Sequence, residues 1–145
     1  MKTIALRFGE TFSPQCGTIT AHQCIIDDIG FVWYGKLGAT VSAKIIDEIK
    51  QNEDPKFLLI RSGKSARYWA HFTEVSLEKP SSKEYPAYYA DKAEKMKIWF
   101  KVIEFEPAPH DVMSHCFVIS SGVPLCKSSR HSMSPYFIID YRDGE

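Results

Sequence analysis

Two apolar runs facing each other across a small polar turn constrain this chain more than any other feature. Residues 56–61 hold the centre Phe57-Leu58-Leu59-Ile60, and residues 67–75 return with Trp69-Ala70-His71-Phe72. Between them Ser62, Gly63 and Lys64 supply turn chemistry, so the spacing predicts an antiparallel hairpin of residues 57–61 against 69–75. A hairpin alone is marginal in water, so further strands must pack beside it. Residues 3–8 alternate weakly and predict a first strand, and Phe31-Val32-Trp33-Tyr34 is a compact aromatic and β-branched run that predicts another. Residues 97–106 place Ile98, Phe100 and Val102 in period two, then shift to Ile103 and Phe105, the pattern of a strand with a bulge. A short strand is expected at 116–120, and a last apolar strand or short helix at 136–141.

One segment is clearly helical. Ser42 is a suitable N-cap, Ile45, Ile46 and Ile49 make one apolar stripe, and Lys44, Asp47, Glu48 and Lys50 face water. Residues 18–29 admit two readings: a helix capped at Thr20 and ending near Gly30, or a strand through Cys24 to Ile26. Residues 9–17 read as a loop, 78–94 as a long polar excursion carrying Tyr85, Tyr88 and Tyr89, and 125–133 as a polar stretch rich in serine. Strands with an early helix and long loops predict an α+β fold. Its expected form is one curved mixed sheet or open β-barrel with outer helices, in a single domain over 1–145.

The chemistry is bounded by what the chain contains. Lys plus Arg number 18 and Asp plus Glu number 18, so no global positive field gathers nucleic acid, and a local basic groove is the remaining route to it. No apolar run approaches the roughly 20 residues that span a bilayer, and residues 2–8 are too short and polar for a signal peptide. Cys16, Cys24, Cys116 and Cys126 lack zinc-knuckle spacing, so a cytoplasmic protein with reduced thiols and no metal or other cofactor is expected. Gly35-Lys36-Leu37-Gly38 and Ser62-Gly63-Lys64-Ser65 lack the glycine frame of a phosphate loop. Asp27 and Asp28, His110 and His115, and the serines from Ser128 to Ser134 form no acid–base or nucleophile constellation recognisable from spacing.

Aromatic and basic residues are more informative. Binding a single base requires two or three aromatic faces with a few hydrogen-bonding groups beside them. Trp33, Tyr34, Trp69, Tyr88 and Tyr89 are the candidates for those faces, while Trp99, flanked by apolar alternation, reads as core. Trp33 reads equally well as core or as a pocket wall. Lys64 and Arg67 beside the hairpin turn, with Lys127, Arg130 and His131 in the late serine-rich stretch, are the candidate backbone contacts.

The order of these features resembles the YTH and EVE branch of the PUA-like superfamily, small domains that read modified bases. The resemblance rests on Gly30 to Tyr34 followed by the 42–51 helix, and on the 56–75 hairpin. It rests also on Lys97 to Val102, and on Ser121-Gly122-Val123-Pro124-Leu125 followed by Ser128-Ser129-Arg130-His131-Ser132. It implies that Trp33 is one wall of a base pocket, that Tyr88 or Tyr89 lies in the loop supplying the opposite wall, and that Arg130 lies near the phosphate backbone. The loop tryptophans of the RNA-reading YTH branch are absent, and tyrosines stand nearby instead. The implied function is therefore EVE-like: a modified cytosine or adenine, in DNA rather than RNA, flipped into an aromatic pocket. The implied partner is a fused or separate nuclease or helicase of bacterial defence. Two alternatives stand beside it: an enzyme resembling the ASCH branch, acting on nucleosides or RNA through a buried Lys paired with a carboxylate, and a protein-interaction domain whose aromatics are all core.

Overall fold

The computed structural model describes residues 1–8, 15–61 and 66–142. Its strands are β1 (Lys2–Arg7), β2 (Val32–Lys36), β3 (Lys56–Ile60), β4 (Tyr68–Ser76), β5 (Ile98–Pro107), β6 (Cys116–Val118) and β7 (Tyr136–Tyr141), and its helices are α1 (Thr18–Ile29), α2 (Ala43–Lys50) and α3 (Leu125–His131). The strands form one sheet in the order β2-β5-β4-β3-β1-β7-β6. It is mixed, because β1 runs parallel to β3 and antiparallel to β7. It is also open, with β2 and β6 as its two edges. The expected α+β architecture with outer helices is the one observed.

The hairpin forms as its sequence dictates, with Phe57 opposite Ala70 and Leu58 opposite Trp69. Its turn, including Lys64, lies outside the described residues. The phase change in β5 is real: pairing with β4 steps from His71–Glu104 to Phe72–Val102, leaving Ile103 as the extra residue of a bulge. A second shift on the β4 side follows within two residues, between Phe72 and Glu74.

Segment 18–29 is a helix. Gly17 rather than Thr20 stands at its N-cap, and Gly30 closes it in the left-handed conformation at φ 92°, donating its N–H to Ile26. In α2 the Ser42 hydroxyl accepts from the Ile45 N–H at 3.3 Å, and Ile46 and Ile49 are buried. The serine-rich stretch expected as a loop contains α3. Its sequence signal is weak because only Leu125 of its seven residues is buried.

Both faces of the sheet centre are covered, which explains the unbroken apolar run in β3. Phe57 and Leu59 face a main core closed by Ile46 and Ile49 of α2 and by Ile19, Ile25 and Ile26 of α1. Leu58 and Ile60 face a second core under α3, with Trp69, Phe137 and Leu125. A third cluster lies outside β2 and β5, where Trp33 and Trp99 are covered by Tyr85, Tyr89 and Met96. The long excursion is thus ordered, through three short 3-10 turns (Ser82–Glu84, Ala87–Tyr89 and Ala93–Lys95), because its aromatics have this surface to bury.

Trp69 packs into the core. It is 1% exposed within the second core, with the Tyr141 ring 4.9 Å away and the Lys56 ammonium 4.6 Å from its own ring. Strand alternation turns it away from the face that carries Tyr68 and Ala70.

His71 sits buried on β4 between two carboxylates, Nδ1 3.1 Å from Asp54 Oδ1 and Nε2 2.8 Å from Glu106 Oε1. Carboxylate oxygens only accept, so this geometry calls for the doubly protonated ring. Burial pulls its pKa down, but the bonds to Glu106 and Asp54, with the charges of Asp54 and Glu104, outweigh that and leave it raised. Stability from this pair of bonds is therefore complete below the ordinary value of 6.5 and is lost as pH rises through the higher folded-state value. Urea midpoints measured across that range should fall on the alkaline side for the wild type and stay level there for His71→Gln. An identical alkaline slope in the two proteins would show that His71 is not the group responsible.

Candidate functional site

The site begins with alternation along β2. Val32, Tyr34 and Lys36 point to one face, and Trp33 and Gly35 to the other. Trp33, 9% exposed, packs in the outer aromatic cluster and donates its indole N–H to Glu84 Oε1 at 3.1 Å. Gly35 is no turn residue. A Cβ there would collide with Met96 Sδ and come within 3.0 Å of the Trp99 ring, so the glycine lets the excursion lie flat on the strand.

Tyr34, on the opposite side, lines a cleft of about 350 Å3 together with Tyr88, Tyr89, Lys36, Arg7 and Lys92. The cleft lies where the end of β1 and the end of β2 approach the N-terminus of α1 and the Ala87–Tyr89 turn. Thr18, the first residue of α1, also lines it. Three of the five expected aromatic walls thus converge here, Tyr34, Tyr88 and Tyr89, while Trp33 and Trp69 do not reach it.

A buried histidine fixes the wall. His22 of α1 is fully buried, its Nδ1 2.8 Å from the Thr18 carbonyl and its Nε2 2.6 Å from the Tyr89 hydroxyl. A carbonyl cannot donate, so Nδ1 carries the proton and Nε2 accepts from Tyr89. Burial lowers the His22 pKa to about 4, against a smaller opposing effect of the Thr18 bond, which keeps the ring neutral at physiological pH. Burial likewise raises the Tyr89 pKa well above its ordinary value. The Tyr34 ring lies 5.0 Å from His22, and Tyr88 stands edge-on to Tyr89 at 5.0 Å. Arg7 braces the opposite side, where Nε donates to the Ser134 carbonyl at 2.9 Å and Nη2 to those of Ser129 and Ser132 at 2.7 and 2.6 Å.

A family model described as Pua-like matches residues 4–141. The chain belongs to the PUA-like family. Among curated proteins and solved structures no match to it was found. Membership in the PUA-like family is consistent with a nucleic-acid-related function.

The basic residues expected at the phosphate backbone are spread over this PUA-like domain. Lys127, Arg130 and His131 share α3 at helical spacing. Lys127 and His131 line a wider groove beside β7, with Val118, Ile119 and Tyr136, and Arg130 is exposed next to them. Arg67 lies at the start of β4, donating to the His110 carbonyl at 3.4 Å, and Lys64 is outside the described residues. Among the described residues no group of three His, Cys, Asp or Glu could hold a metal ion, and no helix is long and apolar enough to cross a membrane.

Sequence reading missed His22, Thr18, Lys36, Arg7 and Lys92. The period-two pairing of Tyr34 with Lys36 was the available signal for Lys36. Nothing local announced His22, which meets Tyr89 across 67 residues of chain.

His22 gives this PUA-like domain an acid-side sensitivity opposite in sign to that of His71. The unfolded imidazole takes up its proton near 6.5 and the folded one only near 4, so stability declines as pH falls between those values. The full loss is roughly 3 kcal/mol. Urea midpoints should show this step in the wild type and not in His22→Gln; a step of the same size in the variant would assign the proton uptake to other groups.

Proposed function

We propose that this domain binds nucleic acid and takes a single base, a modified cytosine or adenine in DNA, into the Tyr34–Tyr88–Tyr89 cleft. One observation carries the reading: tyrosines from β2 and from the Ala87–Tyr89 turn meet on one opening whose charged lining residues, among those described, are Arg7, Lys36 and Lys92. An extruded base loses its stacking, a few kcal/mol, and recovers it from aromatic walls. Phenol oxygens and cations beside those walls offer hydrogen bonds to its edge. A cleft of about 350 Å3 lies at the small end of ligand sites and suits one nucleotide rather than a groove for a strand.

The YTH and EVE resemblance supports the same reading, with one revision. The wall implied for Trp33 passes to Tyr34 and Tyr88, and Trp33 supports the wall from the cluster it shares with Tyr89. Lys127, Arg130 and His131 on α3, with Arg67 and Lys64 near the hairpin, are the proposed phosphate contacts. A nuclease or helicase acting with the reader is part of the same proposal. The zero formal charge makes non-specific binding weak and leaves discrimination to the cleft.

Titration with duplexes carrying unmodified cytosine, methylcytosine, hydroxymethylcytosine or methyladenine tests the proposal. One modified duplex should bind more tightly than its unmodified counterpart. Tyr88→Ala should weaken that complex by about 1–3 kcal/mol, roughly 5- to 150-fold, with little change in melting, because Tyr88 is only partly buried. Equal affinity for all four duplexes, untouched by Tyr88→Ala, would defeat the reading. Arg130→Ala should instead weaken modified and unmodified complexes alike and flatten the salt dependence, since a phosphate contact releases counterions without reading the base. A loss confined to the modified duplex would move Arg130 into base recognition.

A further inference from the structure

Among the described residues, every charged residue lining the tyrosine cleft is a cation. Arg7, Lys36 and Lys92 reach it, and none of the described residues around it is an aspartate or glutamate. Arg7 commits three donated bonds to carbonyls at the end of α3. Lys36 is placed differently. It is 7% exposed, its ammonium donates to the carbonyls of Leu37 at 3.3 Å and Ala39 at 2.5 Å, and it sits 4.8 Å from the centre of the Tyr136 ring. Carbonyls and a ring face stabilise a cation but carry no compensating charge. Among the described residues no carboxylate lies within ion-pair distance of this ammonium.

A buried charge without a counter-ion is costly, and proteins usually pair one. Burial lowers the Lys36 pKa for that reason. An anion entering the cleft would bring a compensating charge and accept from an ammonium already oriented by two carbonyls. Independently, α1 begins at the cleft with Thr18. Its N-cap Gly17 makes no side-chain capping bond, and its first turn holds no acidic residue. The positive end of a 12-residue helix therefore borders this opening through Thr18.

We infer that Lys36 forms an anion subsite in the cleft and takes the phosphate of the nucleotide whose base lies against Tyr34 and Tyr88. This rests on the reading that the cleft takes a base. The phosphate is either the diester of an extruded nucleotide or the monoester at a strand end, and both present the same oxygens to the ammonium.

Calorimetric titration of the full chain with deoxycytidine, methyldeoxycytidine, hydroxymethyldeoxycytidine and methyldeoxyadenosine, their 5′-monophosphates and deoxyribose 5-phosphate tests the subsite. A monophosphate should bind about tenfold more tightly than its nucleoside, the scale of one charge-assisted bond. Lys36→Met keeps most of the stem's volume and should bring that ratio near one while nucleoside affinity persists. Inorganic phosphate should weaken binding of the monophosphate to the wild type and leave the nucleoside unaffected, a measurement that stands if the buried variant fails to fold.

Equal wild-type affinity for nucleoside and monophosphate would overturn the subsite and leave the base reading intact. Equal affinity for monophosphate and deoxyribose 5-phosphate would do the reverse. A ratio retained by Lys36→Met would remove Lys36 from the subsite, and no binding by any of these compounds would overturn both ideas. Single strands with and without a 5′-phosphate identify the source: a requirement for it selects the strand end, and indifference selects the diester.

Discussion

The parallel pairing of β1 with β3 is the constraint on which the rest of the structure depends. Leu6 lies opposite Leu59 in that ladder, and β1 is also held on its other side by β7. Two parallel neighbours cannot be joined by a tight turn, so the chain between them must leave the sheet and return. That crossover contains α1, β2 and α2, and it delivers α1 and α2 to the main core and β2 to the far edge. The ends of the described chain are tied to the same centre, because the Met1 ammonium bonds Asp140 at 3.0 Å and the Tyr141 carbonyl at 2.8 Å.

The cleft follows from this arrangement. An edge strand has one side of its backbone unpaired, and β2 uses both side-chain faces instead: Trp33 anchors the tyrosine excursion outside, and Tyr34 and Lys36 face inward. Because the excursion wraps over β2, Tyr89 reaches past the strand to His22 of α1. A helix, an edge strand and a loop thus meet around one buried hydrogen-bond chain from phenol to imidazole to carbonyl. Apolar burial alone would leave the phenol free to turn; the two bonds at His22 fix its direction. The same convergence gathers the cations, Arg7 from β1, Lys36 from β2 and Lys92 from the excursion.

The two histidines illustrate how burial and partners decide titration. His22 has a carbonyl and a phenol, neither carrying a formal negative charge, so burial dominates and the ring stays neutral. His71 has carboxylates at both nitrogens, so the charged form wins despite burial. The two residues are the same in composition and opposite in behaviour, and nothing within a few positions of either one distinguishes them.

By itself the sequence determined the local elements whose period was strong: the hairpin of β3 and β4, the isoleucine stripe and serine cap of α2, the bulge in β5, and the sheet-dominated α+β class. It also carried enough ordered features to point to the PUA-like family, and it marked Tyr34, Tyr88 and Tyr89 among its candidates. Tertiary structure decided which of these rings come together at the cleft and which pack elsewhere. Trp33 and Trp69 look like pocket residues in sequence because an exposed ring and a buried one have the same letters. Only the pairing register turns Trp33 to the outer cluster and Trp69 beneath α3. It also decided the order of α3, whose single buried side chain gives little periodicity, and the meeting of His22 with Tyr89 and of Lys36 with the cleft. Those are contacts between distant segments, set by how the sheet closes on its helices, and local patterning carries no record of them.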